Sequence, residues 1–79
     1  MDTDTLKLKF GRRVRSLRNL RDLTQEEFAE KADLSPEYVG KIERGGASPS
    51  FSVIAGLAGA LDIRPVELFD FTELGEKES

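Results

Sequence analysis

Between Thr24 and Gly46 the sequence encodes two short helices, each with its own start signal, with only three residues between them. Thr24-Gln25-Glu26-Glu27 has the form of a capping box, in which the Thr hydroxyl takes the Glu27 N–H and the Glu27 carboxylate returns to that of Thr24. Leu23 and Phe28 flank it as a hydrophobic staple, and the helix is predicted to end near Ala32. Asp33, Leu34 and Ser35 form the break, with Asp33 able to adopt the left-handed backbone that closes a helix. Ser35 caps the next helix, Pro36 takes its first position, and Glu37 suits the positive end of the helix dipole. Leu34 and Val39 repeat the staple, and Gly45-Gly46 stops the helix after about Arg44. Helices this short are marginal alone and must pack on a scaffold. Two of them joined so tightly make a helix-turn-helix.

The flanking sequence supplies the scaffold. A first helix is predicted over about Leu6 to Asp22, with Leu6, Phe10, Val14 and Leu17 on one face and basic residues on the others. Ser50 caps a fourth helix with Ile54, Leu57, Ala58 and Leu61 turned inward. Gly56 and Gly59 each weaken that helix by about 1 kcal/mol relative to Ala, and a close helix contact is the expected reason for both. Arg64-Pro65 opens a short fifth helix through Val66, Leu68 and Phe69. No strand alternation is visible. The expected fold is all-α, a five-helix bundle over residues 1–71, followed by an acidic, flexible tail over 72–79. Leu17, Leu23, Phe28, Ala29, Ala32, Leu34, Val39, Ile42, Ile54, Leu57, Ala58 and Leu61 form the expected core.

Composition narrows the chemistry. The chain has 79 residues with no cysteine and no histidine, so disulfides, thiol catalysis and imidazole acid–base work are excluded. Neither a Gly-rich phosphate loop nor a metal-ligand cluster accompanies the carboxylates, so no enzyme, cofactor or metal site is expected. No signal peptide or long apolar run is present, and a cytoplasmic location is expected. The formal charge is −3, yet it is unevenly placed. Residues 1–24 carry seven basic and three acidic side chains, while the acid accumulates beyond them. Binding follows the local field, so a face that takes up an anion survives the negative total.

The run Leu23-Thr-Gln-Glu-Glu-Phe-Ala-Glu-Lys-Ala, then Leu34-Ser-Pro-Glu-Tyr-Val-Gly-Lys-Ile-Glu-Arg-Gly, then Pro49-Ser50, resembles the lambda-repressor/Cro family, in its xenobiotic-response-element branch. Leu61-Asp-Ile-Arg-Pro-Val-Glu-Leu-Phe69 extends the likeness over about Phe10 to Phe69. Short phage repressors and restriction–modification controller proteins are members, as are antitoxins that repress their own operons. The resemblance implies a homodimer controlling transcription through a two-fold double-stranded DNA operator. It implies that Thr24 and Gln25 meet a phosphate at the start of helix 2, where free N–H groups add donors. It also implies that helix 3 enters the major groove with Ser35, Pro36, Glu37, Tyr38 and Lys41 near the DNA. Lys41 would donate to guanine, and Glu37 would accept from cytosine. Arg44, Ser48 and Ser50 fall at positions of flanking phosphate contacts, and Arg18 and Glu43 at those of a buried ion pair.

Three positions depart from the family pattern. Asp33 replaces the usual turn glycine, and the loop Gly46-Ala47-Ser48 lacks a basic residue. Gly40 stands mid-helix on the expected outward side, giving one contact fewer. The basic run of helix 1 reads as a solvated face. Val66, Leu68, Phe69 and Phe71 exceed what a short last helix buries for itself, which points to a dimer interface, completion of the monomer core being the other reading. A second functional class stays open, in which the acidic surface of the same fold binds a protein, as an antitoxin does.

Overall fold

Asp2 starts the first helix almost one turn earlier than apolar periodicity alone suggests: its carboxylate accepts from the Thr5 N–H at 2.8 Å. In the computed structural model, which describes residues 1–72, the helices are α1 (Thr3–Leu20), α2 (Gln25–Ala32), α3 (Pro36–Glu43) and α4 (Phe51–Leu61). No strand occurs among the described residues. The expected fifth α-helix is instead a single 3-10 stretch, Pro65–Phe69. Five residues opened by Pro are too few for an α-helical ladder, and tighter i→i+3 bonding suits such a length. Residues 73–79, which hold nearly all of the acidic tail expected over 72–79, lie outside the described residues.

The caps form where the sequence places them. The Thr24 hydroxyl accepts from Glu27 N–H at 3.0 Å, and Glu27 Oε1 accepts from Thr24 N–H at 2.9 Å. Ser35 and Ser50 accept from the Tyr38 and Val53 N–H groups at 3.1 and 3.3 Å. Asp33 is left-handed at φ 60, and Asp22 and Asp62 adopt the same geometry beyond α1 and α4. Aspartate tolerates that region better than branched residues do, so one device closes three helices.

Packing draws all the elements onto one core. Phe10, Val14 and Leu17 of α1 meet Phe28, Ala29 and Ala32 of α2, Val39 and Ile42 of α3, and Leu57, Ala58 and Leu61 of α4. Leu23, Leu34 and Ile54 pack at its margin, and Ala47 and Leu68 complete it. Gly56 does serve a close contact, since a Cβ there would lie 3.0 Å from the Ala32 carbonyl oxygen. Gly59 does not: nothing beyond the backbone of its own helix lies within 4 Å of where its Cβ would be. The tightest approach is elsewhere, at Gly11, where a Cβ would fall 2.3 Å from the Ile42 carbonyl oxygen and 2.8 Å from that of Glu43. Backbone thus touches backbone between α1 and the last turn of α3.

The basic run of α1 is only in part a solvated face. Arg13 is 2% exposed and donates from Nε to the Glu67 carbonyl at 2.8 Å. Arg21 donates from Nε to the Leu61 carbonyl at 2.9 Å, satisfying one of the acceptors left over at the end of α4. Both guanidiniums hold the C-terminal half against α1. No helix among the described residues is long and apolar enough to cross a membrane.

Candidate nucleic-acid interface

The back of α3 is held by one carboxylate. Glu43 accepts from Arg18 Nε at 2.6 Å and from Arg18 Nη2 at 3.0 Å, a paired, charge-assisted arrangement buried between α1 and α3. The hydrogen-bonded carboxylate raises the Arg18 pKa above its ordinary value despite the opposing effect of burial, so the guanidinium stays charged. Arg18 Nη1 also donates to the Leu23 carbonyl at 2.7 Å, fixing the link into α2. Gln25 Nε2 donates to Glu43 Oε1 at 3.0 Å. From the exposed side of α1, Arg15 Nε stands 3.9 Å from the same oxygen. A single anion therefore sets the mutual placement of α1, α2 and α3.

With its back fixed, α3 turns Glu37, Lys41 and Arg44 to solvent. These residues are one helical turn apart or nearly so, and their side chains share a face. A shallow cleft of about 320 Å³ runs between α2 and α3, lined by Gln25, Glu26, Pro36, Glu37, Gly40 and Arg44. Tyr38 is half-buried, with its ring packed against the core. Thr24, Ser35 and Ser50 use their side-chain oxygens as helix caps. Each of those hydroxyls still has its own O–H to donate. Ser48 is exposed in the loop before α4.

Gly40 lies on the outward side expected for it, among the residues that line the cleft, yet it is not exposed. It is buried, covered by Arg44 and Gln25: a Cβ would lie 3.0 Å from Arg44 Nη1 and 3.8 Å from the Gln25 amide atoms.

The expected dimer residues divide. Leu68 is 0% exposed and belongs to the protomer's own core, so it is withdrawn from any interface. The last 3-10 turn is too short to bury Leu68 against itself, and α1 and α4 supply the cover. Val66 and Phe69 are 61% and 41% exposed, while Phe71 is half-buried. The Phe69 ring stacks at a tilt on Phe10, centroid to centroid 5.0 Å. Beside it, Leu6, Phe10, Pro49, Phe51 and Ile54 line an apolar groove of about 250 Å³. Phe51 is 89% exposed there, a large aromatic at the first position of α4 that the Ser50 cap does not account for. Gly11, Arg13 and Arg21 were absent from the expected set. Only Gly11 carried a readable hint, as a glycine that weakens an otherwise well-formed helix.

A short capped α2, a clamped α3 and an outward polar face together define a helix-turn-helix protein. The family model described as helix-turn-helix matches residues 14–68, and the chain belongs to that family. It is 36% identical over 77 residues to the control protein C.BamHI of Bacillus amyloliquefaciens, covering 96% of this chain and 95% of that one. It is 46% identical over 54 residues to the immunity repressor of Bacillus phage phi105, covering 68% of this chain and 38% of the repressor. The crystal structure of the restriction–modification controller protein C.AhdI from Aeromonas hydrophila superposes with a TM-score of 0.77 at 48% identity. That match covers 78% of this chain and 94% of C.AhdI.

Proposed function

We propose that the chain is a sequence-specific transcriptional regulator that binds a two-fold operator as a homodimer, with α3 in the major groove. The observation that carries this reading is the exposure of Glu37, Lys41 and Arg44 on one face of a helix whose opposite side is fixed to Arg18 through Glu43. Reading base edges requires side chains free to reach outward from a backbone that does not move. In this reading Lys41 donates to guanine O6 or N7, and Glu37 accepts from cytosine N4. Gln25, Arg44 and the hydroxyls of Thr24, Ser35, Ser48 and Ser50 contact phosphates. Pro36 and Tyr38 shape the approach. Val66, Phe69 and Phe71, joined by Phe51, form the interface that sets half-sites about 34–36 Å apart. The cited control proteins and immunity repressor support a regulatory role in such a setting.

Selection from a random duplex pool, followed by titration of the winner against a scrambled duplex at one fixed salt, tests this. The expected result is a two-fold motif bound at least ~10³ more tightly than the scramble. A second reading, a protein-binding module, is favoured by the net charge of −3 and by the acid concentrated beyond residue 24. Weak, equal binding of both duplexes would favour it.

A further inference from the structure

Gly40 lies under the two side chains that border the α2–α3 cleft. It sits mid-helix in α3, where a glycine weakens the helix relative to alanine. A Cβ there would meet Arg44 Nη1 at 3.0 Å, a tight contact, with the Gln25 amide at an ordinary 3.8 Å, so the space beyond the Cβ position is the guanidinium's. Arg44 and Gln25 donors are therefore no more than about 7 Å apart, a span that one phosphate closes with two bonds of about 2.8 Å. Gln25 is itself held by Glu43 at 3.0 Å, which leaves its second amide N–H to donate. No hydrogen bond or ion pair among the described residues engages the Arg44 guanidinium.

We propose that Gly40 is a positioning residue: the space above its Cα seats the Arg44 guanidinium beside Gln25, so that both close on a single phosphodiester of the DNA backbone. The proposal rests on the DNA-binding reading given above and deepens it. Two carboxylates, Glu26 and Glu37, line the same cleft, and Arg44 is the one cation lining it among the described residues. The cleft accepts a phosphate only while the guanidinium stays inside it. A methyl group at position 40 would move the guanidinium by only a few tenths of an ångström, but a side chain as long as leucine would displace Arg44 outward, leaving the carboxylates to face the phosphate. The missing side chain is then not one contact fewer but the condition for a two-donor contact.

The experiment compares Gly40→Leu, Arg44→Ala and the double variant with the wild type, on the selected duplex and on a scrambled one, across a series of salt concentrations. The group displaced by the new side chain is the far end of a flexible arginine, so G40L folds, and its Tm is expected to equal or exceed that of the wild type. Each single variant is expected to weaken both duplexes by about tenfold and to lower the salt slope by about one. The double variant is expected to be no weaker than R44A alone. Undiminished binding by G40L overturns the proposal. So does a loss of equal size in the wild-type and R44A backgrounds, since Gly40 would then act through its own space against DNA. Wild-type protein that binds neither duplex overturns the DNA-binding reading itself, and the proposal with it.

Discussion

The Arg18 guanidinium meets the Glu43 carboxylate edge-on, with its Nε and Nη2 donating at 2.6 and 3.0 Å. Both groups are buried, and the third Arg18 nitrogen is spent on the Leu23 carbonyl. A guanidinium stripped of that carboxylate would have no water to replace it. Glu43→Ala is therefore expected to lower unfolding free energy by about 3–5 kcal/mol. The double variant Arg18→Met, Glu43→Leu is expected to recover most of that loss, because removing both charges removes the uncompensated one. Urea unfolding of the three variants measures both effects. A double variant as unstable as E43A would mean that the pair's shape, and not its charge, holds α3.

Gly11 makes the opposite kind of contact, backbone against backbone. Gly11→Ala improves helix propensity by about 1 kcal/mol, yet its Cβ must push back the Ile42 and Glu43 carbonyls. Overpacking of that kind destabilises by about 1–3 kcal/mol and is expected to prevail. Thermal unfolding of G11A should show a lower Tm than wild type, and a higher one would show that α1 can slide away from α3 at little cost.

Two adjacent residues of the Pro65–Phe69 stretch separate the core from the proposed interface. Leu68→Ala is expected to cost about 2–5 kcal/mol of stability, as truncation of a fully buried leucine does. Phe69→Glu is expected to leave the helical circular dichroism in place and to yield a monomer by sedimentation velocity. A folded dimer of F69E would move the interface away from Phe69, toward Phe51 and the groove beside it.

Lys41 is exposed on α3 and tests the base-reading role directly. Lys41→Ala is expected to cost about 1–3 kcal/mol on the selected operator and to relax preference at one base pair. Equal loss on every sequence would reduce Lys41 to a phosphate contact.

The Asp2 cap gives α1 a pH-dependent start. Hydrogen bonds from Thr5 hold the Asp2 carboxyl below its usual 3.8. With the folded value depressed, the cap is fully formed above the usual value and is lost as pH falls through the folded one. Amide exchange at Thr5 and its neighbours should accelerate in that acid window. Asp2→Asn keeps an acceptor and removes the titration, so its exchange should show no such step. A step of the same size in D2N would assign it to another carboxylate.

Much of this was legible because caps are local. Thr24, Ser35 and Ser50 each mark a helix start through bonds that span three residues, and Asp33 marks an end by its backbone tolerance. The length of α1 was misjudged because its start depends on Asp2 and not on Leu6, which is part of the exposed apolar surface. The last element was misjudged because Pro65–Phe69 supports either helix type by pattern, and only its brevity chooses the 3-10 form. The roles of Arg13 and Arg21 were beyond reach, since their partners are main-chain carbonyls 54 and 40 residues away. A carbonyl leaves no mark in a sequence. Gly40 was visible as an oddity, but the cover provided by Arg44 and Gln25 exists only after α2 and α3 have docked.

The Glu43 hub has a consequence for how such a protein can change its target over generations. Arg18, Glu43 and Gly11 hold α3 from behind, whereas Glu37, Lys41 and Arg44 point away from it and bond to none of them. In the DNA-binding reading proposed above, substitutions among the outward residues would alter the preferred sequence while the scaffold stays intact. Gln25 alone belongs to both sets, through its bond to Glu43 and its place at the cleft. It is the position where drift in target preference and drift in fold cannot be separated.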